Sequence, residues 1–170
     1  MKGMVHVYTG DGKGKTTAAI GLAIRAAGAG KSVFIGQFVK GMEYSEIKII
    51  NKINEIKLKQ YGRGCFIKGD PETEDIKAAR DGLNEIEKIL KSGEYELVIL
   101  DEANIATYYK LFSVDTLISV IENRAENVEV VITGRKADDK LIKYADLVTN
   151  MEEIKHYYHN GVKARTGIEK

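Results

Sequence analysis

Met4-Val5-His6-Val7-Tyr8-Thr9-Gly10-Asp11-Gly12-Lys13-Gly14-Lys15-Thr16-Thr17 reads as a short apolar strand running straight into a loop rich in glycine and lysine. Glycines let consecutive backbone N–H groups turn inward as a nest, Lys15 adds a point charge, and the Thr16 hydroxyl can ligate Mg²⁺. Ala18-Ala19-Ile20-Gly21-Leu22-Ala23-Ile24 continues as a helix whose positive N-terminus faces the loop. The segment therefore limits the bound group to something carrying a polyphosphate. Thr9 stands where the pattern G-x-x-x-x-G-K-[ST] has its first glycine, and Gly10 with Gly12 is left to make the turn.

Outward from this loop, strands and helices alternate. The first helix closes at Gly28-Ala29-Gly30, and Ser32-Val33-Phe34-Ile35-Gly36-Gln37-Phe38-Val39 is a nearly continuous apolar strand, the kind buried on both faces. Glu55-Ile56-Lys57-Leu58-Lys59-Gln60-Tyr61 alternates with period two and belongs at an exposed or edge position. Asp70-Pro71 starts a helix carrying Ile76, Ala79, Leu83, Ile86 and Leu90 at three-four spacing, and Gly93 ends it. Glu96 to Asp101 and Val128 to Thr133 are further strands, separated by a helical segment through Leu117, Val120 and Ile121. Such alternation implies right-handed crossovers: an α/β fold with a mainly parallel sheet, P-loop NTPase-like, flanked by helices on both faces. Ligands in these sheets bind beyond the carboxyl ends of the strands, where the loops after Tyr8, Val39, Leu100 and Thr133 are expected to converge.

Leu97-Val98-Ile99-Leu100-Asp101-Glu102 has the form of a Walker B segment, four apolar residues delivering two carboxylates to that edge. Mg²⁺ takes oxygen ligands and keeps several waters, so one carboxylate with Thr16 and phosphate oxygens would suffice. The competing reading has Asp101 capping the next helix and Glu102 in solvent. Gly134-Arg135 offers a guanidinium at the same mouth, either as a bidentate phosphate clamp or as one half of a surface salt bridge.

Composition narrows the class. A chain of 170 residues with 44% hydrophobic content suits one domain, residues 1–170, with a single substantial core. The net charge of +1, with acids and bases interspersed, argues against nucleic acid or an anionic membrane as partner. The single Cys65 excludes an internal disulfide, and no apolar run approaches the roughly 20 residues that span a bilayer. A cytoplasmic protein is expected.

Taken together, Gly10 to Thr17, Gln37-Phe38-Val39-Lys40-Gly41, Leu100-Asp101-Glu102, Val131-Ile132-Thr133-Gly134-Arg135 and Val162-Lys163-Ala164-Arg165-Thr166-Gly167-Ile168-Glu169 resemble the P-loop type of ATP:corrinoid (cob(I)alamin) adenosyltransferase. The likeness spans nearly the whole chain; the Q-F-x-K-G segment, the T-G-R turn and the terminal segment are more specific than the loop itself. It implies transfer of the adenosyl group of ATP to a reduced corrinoid, with triphosphate leaving and the nucleotide lying in the loop in the reverse of the usual sense. Co(I) carries no proton, so attack on the ribose C5′ requires no general base. The protein must position that carbon and stabilise charge on the departing triphosphate.

The resemblance implies Gly12, Lys13, Gly14, Lys15, Thr16 and Thr17 as phosphate contacts, with Gly10 and Asp11 in the same loop. Thr16 and Glu102, with Asp101, are implied as ligands of Mg²⁺, or of Mn²⁺ in its place. Arg25 and Arg135 match arginines near the nucleotide, and Glu46 matches a glutamate in the loop after Q-F-x-K-G. Lys15, Arg135 and Glu102 are the candidate catalytic residues. A homodimer and an electron donor such as a flavodoxin or reduced flavin are also implied.

Two departures from the family pattern bear on the corrinoid. Family members carry a Phe-x-Trp pair, which displaces the lower axial ligand of Co(II), in the loop corresponding to Gly64-Cys65-Phe66-Ile67. This chain has no tryptophan, which leaves Phe66 or Ile67 to act by apolar crowding. Members also have an N-terminal extension over the site, whereas here the first strand begins almost at Met1, so a more exposed corrinoid or another covering segment is expected. His6, His156, His159 and Cys65 are expected in structural roles, and Tyr108-Tyr109 either in the core, at a dimer contact or under a stacked ring. A P-loop small-molecule kinase or ATPase and a non-catalytic, nucleotide-gated corrinoid-binding module remain as alternative functions.

Overall fold

A computed structural model of the chain describes residues 2–42, 44–64 and 69–169. The strands are β1 (Val5–Thr9), β2 (Val33–Phe38), β3 (Ile56–Tyr61), β4 (Leu97–Asp101), β5 (Glu129–Thr133) and β6 (Leu147–Asn150). The helices are α1 (Lys15–Gly28), α2 (Ser45–Ile50), α3 (Thr73–Ser92), α4 (Ala103–Tyr108), α5 (Val114–Glu122) and α6 (Asp139–Tyr144), followed by a 3-10 turn at Tyr157–Asn160. The strands form one sheet in the order β3-β2-β4-β5-β1-β6, and each neighbouring pair is parallel.

The period-two geometry of strands sorts their residues between two apolar layers. Val5, Val7, Phe34, Phe38, Val98, Leu100, Val130 and Ile132 pack on one face with Leu83, Ile86 and Leu90 of α3, Ala103 and Ala106 of α4, and Leu117 and Ile121 of α5. The alternate positions Val33, Ile35, Leu97, Ile99 and Val131 pack on the other with Ala19, Ala23 and Ala26 of α1 and Ile50 of α2. Alanines along α1 let that helix lie close to the sheet, which brings its first turn over the carboxyl ends of β1 and β4. Helices therefore cover both faces, and β3 lies at an edge as its alternating pattern predicts.

Three details differ from the sequence reading. Pro71 precedes α3 instead of opening it: Glu72 is the capping position, and its N–H donates to the Asp75 carboxylate at 3.0 Å. Glu46 sits in the first turn of a short helix, α2, not in a loop. β6 is an additional edge strand, exposed along its length and paired to β1. Among the described residues no helix is long and apolar enough to cross a membrane.

Candidate active site

The carboxyl ends of β2, β4 and β5 and the first turn of α1 meet at one side chain. Asp101, the last residue of β4, is 1% exposed. Its Oδ1 accepts hydrogen bonds from Thr16 Oγ1 at 2.8 Å and Thr133 Oγ1 at 2.6 Å. Its Oδ2 accepts from Gln37 Nε2 at 3.0 Å and Lys40 Nζ at 2.8 Å. Burial works against ionisation of this carboxyl, but the Lys40 ammonium and the Thr133 and Thr16 hydroxyls outweigh it and hold the pKa below the usual aspartate range. The same pairing works in reverse on Lys40: burial opposes its charge, and Asp101 followed by Glu102 leaves its pKa raised.

The nucleotide loop is shaped by its glycines and by the segment after β6. Gly10 and Gly14 have φ of 96° and 118°, in the left-handed region that glycine enters without penalty. Gly12 donates its N–H to Met151 O at 2.7 Å, and a Cβ at Gly12 would lie 2.7 Å from that same oxygen. Residues 150–152 thus brace the loop from its outer side, and only a bare backbone can approach so closely. Gly14 caps α1 without any side-chain hydrogen bond, and the first turn holds no acidic residue, so its N–H groups stay open to an anion.

Lys15 is buried and folds back, donating to Gly10 O at 2.7 Å and Gly12 O at 2.6 Å. Burial and the neighbouring Arg135 charge push its pKa down, against the pull of Glu102, Asp11 and Asp101. Glu102 opens α4 with φ of 59°, and its N–H donates to Thr133 Oγ1 at 3.1 Å. Its carboxylate makes no hydrogen bond among the described residues; burial and the adjacent Asp101 raise its pKa, while Lys40, Lys15 and Arg135 pull it back. A partly desolvated carboxylate facing three cations is a ready oxygen ligand. With Thr16 it supplies the hard oxygen donors that suit Mg²⁺.

Lys13 points to the other end of the chain. Its Nζ donates to Glu169 Oε1 at 2.8 Å and to Tyr157 Oη at 3.1 Å. Tyr157 in turn donates to Glu169, and Arg165 reaches the same carboxylate at 3.2 Å while stacking 4.9 Å above the Tyr157 ring. The terminal segment therefore folds back across the nucleotide loop.

The structure gathers Gly10, Gly12, Lys13, Gly14, Lys15, Thr16, Asp101, Glu102 and Arg135 at this edge, with Asp11, Thr17 and Arg135 exposed there. Arg25 is exposed on the third turn of α1, about 15 Å along the helix axis from Lys15, where its charge acts on Tyr8. Glu46 is half-buried on α2. Cys65, Phe66 and Ile67 lie outside the described residues. His6 pairs with Glu129 at 2.7 Å and His159 with Glu153 at 2.6 Å, while His156 Nδ1 accepts the Tyr158 N–H. Tyr109 packs against the core, and Tyr108 is exposed.

Sequence reasoning gave no individual role to Gln37, Lys40, Thr133, Tyr157, Arg165 or Glu169. For Gln37 the signal was present: an amide inside an apolar strand must find partners. Here it links Asp101 to Gln60, whose Nε2 donates to Gln37 Oε1 at 3.0 Å. Strain marks the same edge, since Val39, Glu102 and Lys136, following β2, β4 and β5, all have φ near 60°.

In fold, the chain is similar to the RadB recombinase, with a TM-score of 0.54 over 91% of this chain and 77% of that one at 15% identity. In sequence it is 34% identical to a corrinoid adenosyltransferase of Sinorhizobium sp over 99% of this chain and 80% of the relative. It is 30% identical to the corrinoid adenosyltransferase of Escherichia coli K12 and 31% identical to that of Salmonella typhimurium, each over 99% of this chain and 86% of the relative. The model of one family, described as ATP:corrinoid adenosyltransferase BtuR/CobO/CobP, matches residues 1–169. With that match laid over the strand, loop and paired carboxylates just described, the chain belongs to the ATP:corrinoid adenosyltransferase family.

Proposed function

We propose that this chain transfers the 5′-deoxyadenosyl group of ATP to the Co(I) of a reduced corrinoid, cobalamin or cobinamide, releasing triphosphate, in adenosylcobalamin biosynthesis or salvage. The observation that carries the reading is the family match over residues 1–169, which takes in every part of the phosphate site. The cobalt lone pair forms the bond to C5′, the C5′–O bond breaks, and its electron pair leaves on the triphosphate. No proton moves, so the work of the site is to hold the triphosphate and to align C5′.

Lys15 and Lys13, the loop amides of Gly10 to Thr17 and the Arg135 guanidinium stabilise the charge that develops on the leaving group. Thr16 and Glu102 would hold Mg²⁺, or Mn²⁺, whose chemistry there is neutralisation of triphosphate charge. Asp101 serves that cation through Thr16, since its own oxygens are already engaged. Arg25 and Glu46 belong to the nucleotide's surroundings, and Phe66 with Ile67 to the corrinoid's. Residues 1–170 act as one domain in the cytoplasm, as a homodimer fed by a flavodoxin or reduced flavin, with neither nucleic acid nor membrane as partner.

The test is anaerobic incubation with ATP, Mg²⁺ and chemically generated cob(I)alamin, following the visible spectrum and the released phosphate species. A light-sensitive alkylcobalamin with stoichiometric triphosphate is expected. ADP and phosphate without a cobalt to carbon bond would replace the proposal with an ATPase or kinase, and unreacted bound ATP with a binding module.

A further inference from the structure

Lys40 is a largely buried cation that the nucleotide loop does not account for. It follows the end of β2, and its side chain is 10% exposed. The backbone that delivers it is tightly specified. Val39, a β-branched residue, is held at φ of 61°, and Gly41 donates its N–H to Gly64 O at 3.3 Å. A Cβ on Gly62 would lie 2.6 Å from both the nitrogen and the oxygen of Lys40, so the neighbouring turn fits only as bare backbone.

What this backbone aims is an ammonium that touches two members of the site. Nζ lies 2.8 Å from Asp101 Oδ2 and 3.3 Å from Thr16 Oγ1, with the Tyr44 ring 5.4 Å away. A carboxylate has about four acceptor positions. Those of Asp101 are filled by Thr16, Thr133, Gln37 and Lys40, which leaves none for a metal ion. Thr16 gives its hydroxyl hydrogen to Asp101 and accepts from Lys40 Nζ on one of its two lone pairs, which leaves the other open.

We propose that Lys40 is a positioning residue for the metal-bound end of the nucleotide: by saturating Asp101 and taking one Thr16 lone pair, it fixes Thr16 as a donor to that carboxylate and leaves a single, oriented Thr16 lone pair for the divalent cation. Without Lys40, Asp101 is free to turn to the cation itself, and Thr16 loses its fixed orientation. Groups that orient a metal's ligands from behind commonly change metal affinity by about 10- to 100-fold when removed. The inference rests on the reading that the loop binds ATP with a divalent cation.

The experiment measures ATP affinity calorimetrically in Mg²⁺ and in EDTA for the wild type and for Lys40→Met, Lys40→Gln and Lys40→Arg. The quantity read is the gain in affinity that Mg²⁺ gives. The gain is expected to fall at least about tenfold in Lys40→Met, by a smaller factor in Lys40→Gln, and to recover in part in Lys40→Arg, with the EDTA affinity nearly unchanged in all three. Lys40→Gln retains a donor for Asp101 and keeps the fold should Lys40→Met lose it. An unchanged gain, or an equal loss with and without Mg²⁺, makes Lys40 merely structural and overturns the proposal. No gain in the wild type itself overturns the metal reading beneath it.

Discussion

Asp101 shows how much of the site depends on one residue. Its carboxylate is buried and satisfied by two hydroxyls, an amide and an ammonium, so its removal strands all four donors at once. Deleting one partner of a buried ion pair costs about 3–5 kcal/mol, because the remaining charge is uncompensated. Asp101→Ala should therefore lower stability by about that amount in urea unfolding, far more than a surface aspartate would. Lys15 makes the opposite case. Its two hydrogen bonds go to carbonyls of its own loop, which they hold in shape. Lys15→Ala should cost only about 1–2 kcal/mol of stability yet lower turnover by about 100-fold or more, measured as alkylcobalamin formed per second. The place of Lys15 could be read from the sequence because it is fixed by neighbours in the same loop. Lys40 could not, since its meaning comes from a carboxylate 61 residues away.

Among the elements, α3 carries an instructive conflict between local preference and packing. Gly82 lies in its middle, where glycine costs about 1 kcal/mol relative to alanine. Helix propensity alone says that Gly82→Ala stabilises. A Cβ at Gly82, however, would lie 2.4–2.8 Å from the Tyr61 side chain at the end of β3, and Tyr61 is packed on Phe38 with ring centroids 5.5 Å apart. Gly82→Ala should instead lower the urea midpoint, by an overpacking cost of about 1–3 kcal/mol. Elements with strong internal periodicity, α3 and the apolar β2, β4 and β5, were legible because each pattern repeats within its own span. β6 was not. Its four residues are all exposed, and they form a strand only because β1 offers an unpaired edge. α2 and α6, at six residues each, are too short for a three-four pattern to repeat.

Across the whole molecule, the parallel sheet places the loops after β1, β2, β4 and β5 side by side, and the chain then closes the site with its own far end. Glu169 meets Lys13 across 156 positions of sequence, beside Tyr157 and Arg165. A carboxylate thus occupies a cation that the family reading gives to the triphosphate, so the two anions compete for Lys13. Hydrogen bonds from Arg165, then Lys13 and Tyr157, hold the Glu169 carboxyl far below the usual glutamate range. A depressed carboxylate pKa means that this contact is fully present above the ordinary value near 4.3 and is lost as pH falls through the lowered one. Lys13 is raised by the same partners, so the contact also persists past neutral pH, until the pH passes that raised value. Near neutral pH the groups stay charged, and the levers are salt and a stronger anion. Exposed pairs are weak and screened, and a triphosphate carries several charges against one. ATP should therefore take Lys13 from Glu169 and release the terminal segment, seen as faster amide hydrogen exchange over residues 157–169 with ATP than without it. Glu169→Gln should speed that exchange in the free protein and tighten ATP binding by no more than about fivefold, as befits an exposed contact. If exchange over 157–169 stays the same or slows with ATP, the segment remains docked beside the nucleotide, and Lys13 serves both anions at once.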